Sequence, residues 1–266
     1  VELPRSSTGK TAVEVARDCA AEAGSILREL PGGAAVAGVK GRGNIVTEAD
    51  YRVERAVMDR LAVEFPEHRV LSEESAADTR SDGWMWVIDP LDGTKNFSRG
   101  IPHFAFTMAL CYDSQPLYGL TLHPLLNELY EATAGEGSTL NGAPIHVSDC
   151  QSVRERVAAI DLGYDNDRAA RQLELARFLW PGMQGLRVAG SAALEFAFLA
   201  AGRWDIFLHS DLQPWDSAAG ILLVQEAGGV VTARDGTPAT IFTRELVAAP
   251  AAVHADFMKL AGRVPW

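Results

Sequence analysis

Cysteine is scarce and arranged for no obvious chemistry. Cys19, Cys111 and Cys150 are the only three in 266 residues, and they stand far apart. An odd, scattered set excludes a disulfide framework and a cysteine-held zinc, and it fits a reducing compartment. Long apolar runs are also missing. None reaches the roughly 18 residues of a membrane span. The first residues lack the apolar core of a secretion signal. The expectation is a cytoplasmic chain with no membrane contact. Positive charge is short too: 24 Lys and Arg stand against 35 Asp and Glu, a net charge of −11. Such a balance argues against a nucleic-acid partner, which needs a basic face. It is compatible with a phosphorylated substrate, because a bound divalent cation reverses the local field. His68, His103, His123, His146 and His254 show neither H-x₃-H nor H-E-x-x-H spacing, so they are assigned to structure or surface. Ser7–Thr11 (STGKT) ends like a phosphate-binding loop. Pro4 occupies the required glycine position and no apolar strand precedes it, so the stretch is a polar lead-in to a helix.

What is present is a globular composition, 47% hydrophobic and 22% charged, in a chain long enough for one large domain or two lobes sharing a core. Residues 11–30 predict a helix ending at Pro-Gly-Gly. Thr47 opens a second, with TEAD as a capping box. Val53, Val57, Leu61 and Phe65 form its buried stripe, and Pro66 helps end it. HRVLSEES and WMWVID read as strands. HFAFTMALCYD, QPLYGLTLHP and NELYEATAG read as antiparallel neighbours, and GSTLNGAPI as a turn region. From about residue 150 strands alternate with helices at 167–180, 191–202 and 215–227. The expected fold class is α/β. An α+β lobe over residues 1–148 packs as one unit with an α/β lobe over 149–266.

The stretch WVIDPLDGTKNFSRG carries two aspartates out of a buried strand. Pro90 has a fixed φ and Gly93 permits unusual backbone angles, so the turn can aim Asp89 and Asp92 into one cavity. Two close carboxylates repel unless a proton or a cation compensates. Oxygen ligands favour Mg²⁺, Mn²⁺ or Ca²⁺ over zinc. Glu73 and Glu74 end the preceding strand. Asp216 in PWDSAAG is either a helix cap or a ligand, and Asp50 in TEAD is either a capping acid or part of a site.

WVIDPLDGTKNFSRGIPHFAFTMAL and WDSAAGILLVQEAGG together resemble the two signatures of the inositol monophosphatase-like phosphatases. This family lies within the Mg²⁺-dependent, lithium-sensitive sugar-phosphatase superfamily. EES, TEAD, TLNGAPI and AGSAALEF fall in the family's order, so the resemblance covers residues 40–235. It implies a layered αβαβα sandwich, a homodimer, and hydrolysis of a small phosphorylated metabolite by metal-activated water. Glu73, Asp89 and the Leu91 carbonyl would hold a first Mg²⁺. Asp89, Asp92 and Asp216 would hold a second, and Glu73 a weaker third through water. Thr94 would position the attacking water, with Asp50 tuning its hydroxyl and Glu73 helping as base. The N–H groups of Gly93 and Thr94, at the start of a short helical turn, would meet the phosphate. Gly190 and Ser191 would contact the substrate, or else merely open and cap a helix.

Two positions depart from the family pattern. Ser72 replaces a common glycine. His209 stands where inositol phosphatases usually carry a glutamate that binds inositol hydroxyls, and Asp211 is a nearby substitute. The change puts inositol phosphate in question and leaves the chemistry intact. Lys95 also occurs in bacterial members that act on histidinol phosphate or 3′-phosphoadenosine 5′-phosphate. These two, fructose 1,6-bisphosphate and NADP⁺ are the alternative substrates. A non-catalytic binder of sugar phosphates is the alternative of another class.

Overall fold

The computed structural model describes residues 1–30, 36–41, 44–74, 82–154 and 156–266. The Pro-Gly-Gly break expected at 31–33 lies outside them. Helix α1 (Ala12–Glu29) starts at Thr11, the last residue of STGKT, which forms a capping box with Glu14. A short antiparallel pair, β1 (Val36–Gly41) and β2 (Asn44–Thr47), leads into α2 (Glu48–Glu64). The TEAD box is formed as expected: the Thr47 N–H and hydroxyl both donate to Asp50 Oδ2, at 2.8 and 2.6 Å. Val53, Val57, Leu61 and Phe65 are buried.

Seven strands follow: β3 (Arg69–Ser72), β4 (Trp84–Asp92), β5 (Ala105–Tyr112), β6 (Gln115–His123), β7 (Glu128–Thr133), β8 (Gly137–Leu140) and β9 (Ala143–Ile145). They form one sheet in sequence order, in which β3 and β4 are parallel and all other pairs antiparallel. The turn region expected at GSTLNGAPI is instead the hairpin β8–β9. Asn141 and Gly142 have φ of 49° and 80°, the positive pair that suits a two-residue hairpin turn.

Strand β4 shows why its sequence is apolar without alternation. Trp86 and Ile88 pack with α1 and α2 on one face, Met85 and Val87 with the residues facing Ala218 and Ala219 on the other. A sheet covered on both sides needs apolar residues at both parities.

After β4 comes the short helix α3 (Thr94–Ser98). The rest of the chain is β10 (Val157–Asp161), α4 (Asn166–Leu179), β11 (Gly185–Arg187), α5 (Ala192–Ala200), β12 (Ile206–His209), α6 (Pro214–Glu226), β13 (Gly229–Ala233), β14 (Leu246–Pro250) and α7 (Ala251–Ala261). Its five strands order as β11-β10-β12-β14-β13, with β10 parallel to both neighbours. Helices α5 and α6 lie between the two sheets, α1 and α2 cover the larger one, and α4 and α7 cover the smaller. The layers are therefore αβαβα, the expected fold. Among the described residues no helix is long and apolar enough to cross a membrane.

The central layer depends on two close approaches. A Cβ on Gly119 of β6 would lie 2.9 Å from Ala219 Cα, and a Cβ on Gly220 of α6 would lie 2.4 Å from the Phe196 ring. Neither position has space for a methyl group. Gly119→Ala is expected to cost about 1–3 kcal/mol through overpacking. Because it presses on α6, it should also weaken whatever Asp216 holds. Urea unfolding measures the first effect; an unchanged midpoint would contradict the close packing.

Candidate active site

The site begins with an irregularity in β4. Asp89 pairs with Thr107 and Asp92 with Ala105, so three steps on β4 oppose two on β5. Residues three apart on a regular strand point to opposite faces. The bulge adds the residue that restores parity, and Pro90 sits within it, where proline is tolerated. The expected tight turn is thus a bulge inside a continuing strand. Leu91 N–H donates to Asp89 Oδ1 at 2.9 Å, fixing that carboxylate.

Gly93 follows with φ 85°. A Cβ there would stand 3.0 Å from His103 O and 3.2 Å from Gly190 O, so glycine is required for both backbone angle and space. Thr94 then opens α3. Its hydroxyl lies 2.9 Å from the Leu91 carbonyl and 3.2 Å from Asp50 Oδ1. Asp50 thus has one oxygen capping α2 and the other facing Thr94. Asp216 is likewise a cap and a site residue: its Oδ2 accepts the Gln213 N–H at 2.7 Å. Carboxylate oxygens of Asp89, Asp92 and Asp216 lie within 4.8 Å of one another. Glu73, in the turn after β3, lines the same cavity of about 440 Å³ but stands outside that tight triad.

Burial pushes all three aspartates up from the ordinary carboxylate range. For Asp89 the neighbouring charges of Glu73, Asp92 and Asp216 add to burial. Asp92 rises to about 7, although donors from Ser191 and Ala193 oppose the shift. Asp216 is held up by burial against the Gln213 N–H. A buried set of hard oxygen acceptors that repel one another fits a hard divalent cation.

Ser191 requires a correction. It is buried, caps α5 and donates to Asp92 Oδ2, which also accepts the Ala193 N–H at 3.0 Å. It does not line the cavity, because the cap turns its hydroxyl inward. Gly190, Leu91, Gly93 and His209 do line it. Gly190 has φ 82°, and the Asn96 amide donates to the carbonyls of Ala189 and His103, each at 2.7 Å, tying α3 to this loop. Asp211 also lines the cavity, with its Oδ1 held by Arg244, Nε at 3.1 Å, and Arg168 3.7 Å away. Ser72 is a buried strand residue in register with Ile88. Lys95 lies 4.2 Å above the Tyr164 ring.

Three further acidic or phenolic groups, not singled out from the sequence, stand here: Asp161 and Tyr164 on the cavity wall and the buried Glu195 behind it. A signal existed for the first: VAAID ends an apolar strand on an acid, as WVID does.

Comparison with known proteins agrees with this geometry. The model of the inositol monophosphatase family matches residues 10–264. The inositol-1-monophosphatase of Synechocystis sp. is 33% identical over 259 residues, 96% of this chain and 90% of its own length. The Nus factor SuhB of Escherichia coli K12 is 35% identical over 241 residues, 89% of this chain and 90% of its own. The inositol monophosphatase from Anabaena sp. superposes with a TM-score of 0.82 at 33% identity, covering 95% of each chain. For the extragenic suppressor protein suhB from Bartonella henselae the TM-score is 0.86 at 32% identity, covering 94% of this chain and 97% of that one. With its layers, its acidic triad and its sequence matching along almost the whole length, this chain belongs to the inositol monophosphatase family of phosphatases.

Proposed function

We propose that this chain is a Mg²⁺-dependent phosphomonoesterase acting on a small phosphorylated alcohol of the inositol 1-phosphate kind. The observation that supports it most is the meeting of Asp89, Asp92 and Asp216, from distant parts of the sequence, in one cavity. These three, with Glu73 and the Leu91 carbonyl, would hold two or three Mg²⁺ ions, or Mn²⁺ in their place. When bound, such ions make hydroxide available at neutral pH and neutralise phosphoryl charge.

The remaining tasks fall to side chains and backbone. Thr94 has a single hydroxyl proton, directed to the Leu91 carbonyl or to Asp50. Its lone pairs are left to accept a hydrogen bond from the attacking water and orient it. Asp50, locked by Thr47, keeps that hydroxyl in place, and Glu73 on the cavity wall serves as base. The N–H groups of Gly93 and Thr94 start α3, where no intrahelical acceptor claims them, and meet the phosphate. Gly190 and His209 stand where the alcohol would lie. The same reading takes residues 1–148 and 149–266 as two lobes that close on the site, with homodimerisation and inhibition by Li⁺. A cytoplasmic location accords with three cysteines that are all free.

The test is phosphate release from inositol 1-phosphate, histidinol phosphate, fructose 1,6-bisphosphate, 3′-phosphoadenosine 5′-phosphate and NADP⁺, with Mg²⁺ and with chelator. Mg²⁺-dependent release is expected, inositol 1-phosphate included. Tight calorimetric binding with no turnover of any ester would instead identify a binding protein. Thr94→Ala should lower kcat by roughly 10²-fold, the cost of a misplaced reacting group, with little change in KM. An unchanged kcat would remove Thr94 from the mechanism.

A further inference from the structure

The parallel strands β10 and β12 end side by side on the cavity, with Asp161 and His209 as register partners. Both residues line the same cavity as the acidic triad, on the wall made by the smaller sheet. Neighbouring strands lie roughly 4.8 Å apart, and His209 Cε1 is 3.7 Å from where a Cβ of Gly163 would stand, in the loop that follows Asp161. The imidazole therefore packs against the same loop that leaves Asp161.

The two side chains have opposite hydrogen-bonding characters. His209 Nδ1 accepts the Asp211 N–H at 3.0 Å. The proton of the neutral ring is then on Nε2, which is a donor. Burial lowers the ring's pKa to about 4, which keeps it neutral. Asp161 is an acceptor with an unusual support. Glu195 is fully buried on α5, and no side-chain donor reaches either of its carboxyl oxygens. The group it faces is the Asp161 carboxyl. Two carboxyls bond only when one carries a proton. Burial, followed by the charge of Asp161, pushes the Glu195 pKa well up, so Glu195 carries it. The Gly190 N–H gives Asp161 a second donor, and the Lys95 charge also acts on it. A carboxylate fixed in this way keeps lone pairs for the cavity.

We propose that Asp161 is a specificity-determining residue, oriented by a hydrogen bond from Glu195, and that with His209 it selects a substrate whose alcohol half carries a free hydroxyl at this wall. The hydroxyl donates to Asp161 and accepts from His209 Nε2. An ammonium has only donors; it would leave Nε2 unpaired and would meet the charge of Lys95. The wall thus favours a polyol phosphate over an amino-alcohol phosphate. This assignment rests on the phosphatase reading above.

Two probes separate the claims: myo-inositol 1-phosphate and cyclohexyl phosphate, the same ring without free hydroxyls. The wild type should prefer the first in kcat/KM. Asp161→Ala should reduce that preference roughly ten- to hundredfold, mostly through KM, as expected for a charge-assisted hydrogen bond. Glu195→Leu should reduce it similarly, and Glu195→Gln, whose amide still donates, should restore it. The infrared carbonyl band of a protonated carboxyl should disappear in Glu195→Gln at neutral pH. A preference unaffected by Asp161→Ala, or a Glu195→Gln variant no better than Glu195→Leu, overturns the proposal, as does an unaltered infrared spectrum. If Glu195→Leu does not fold, Asp161→Ala and Glu195→Gln decide without it. Turnover of cyclohexyl phosphate with no preference for the polyol defeats this inference alone. Absence of turnover on both probes, with another ester of the panel above still hydrolysed, likewise defeats this inference alone; absence of turnover on every ester defeats the phosphatase reading itself.

Discussion

Asp92→Asn is expected to lower Mg²⁺-dependent phosphate release by about 10³-fold or more and, in chelator, to raise the melting temperature. Both effects follow from the same geometry. Ser191 and Ala193 both donate to Asp92 Oδ2. An asparagine can keep its oxygen there and must then turn its amide nitrogen toward Asp89 and Asp216. A donor among cation ligands displaces the cation, and losing a single electrostatic stabiliser of a transition state already costs about 10²–10³-fold. Without metal the same amide relieves repulsion between buried carboxylates and offers them hydrogen bonds. A merely structural Asp92 would give the opposite stability result. Phosphate release and calorimetric melting check the pair. Near wild-type turnover in Mg²⁺ would refute the metal assignment.

The pH dependence of stability should differ sharply between chelator and Mg²⁺. Asp89, Asp92 and Asp216 have folded-state pKa values raised above the unfolded carboxylate, Asp92 to about 7 and Asp161, on the wall, to about 6. Between roughly pH 4 and those values the folded chain binds more protons than the unfolded one. Stability therefore falls as pH rises through that window. The histidines act with the other sign. His103 and His209 are lowered to about 4 by burial, so they withdraw stability as pH falls below about 6.5. In chelator the acids' upper limb should make stability increase from pH 8 downward, and the histidines should only flatten that rise below about 6.5, since four raised carboxyls outweigh two lowered imidazoles. Bound Mg²⁺ favours the ionised triad and should remove the upper limb while leaving the histidine limb. Each shifted unit corresponds to about 1.4 kcal/mol, so the two curves should part by a few kcal/mol at pH 8. Melting curves at pH 5–8 with chelator and with Mg²⁺ decide it. Parallel curves would mean that the triad carries no such repulsion.

Much of this protein was readable from local pattern. Thr47 announces a helix because capping involves residues three apart, which a sequence shows directly. The apolar run before Asp89 marks a strand buried on both faces. Asp89, Asp92 and Asp216 stood out because each ends an apolar element or opens one. Asp50 and Asp216 read as cap or site; each does cap a helix, and each also faces further, Asp50 toward Thr94 and Asp216 into the triad, since a carboxylate has two oxygens.

Other features needed the chain folded. Ser191 faces Asp92 across 99 positions in sequence, so its inward hydroxyl had no local sign. Nothing near Asp211 in the sequence showed that Arg244 and Arg168 would stand beside its Oδ1. Glu195 lay inside what reads as an ordinary apolar helix, and its partner Asp161 arrives only when β10 pairs with β12. By itself the sequence determined the elements, the acids and the family, because these depend on neighbours within a few residues. Only the tertiary structure decided which way the acids face. The bulge opposite β5 restores the parity that turns Asp89 and Asp92 to one side, and strand register is set by a partner strand, not by the strand alone.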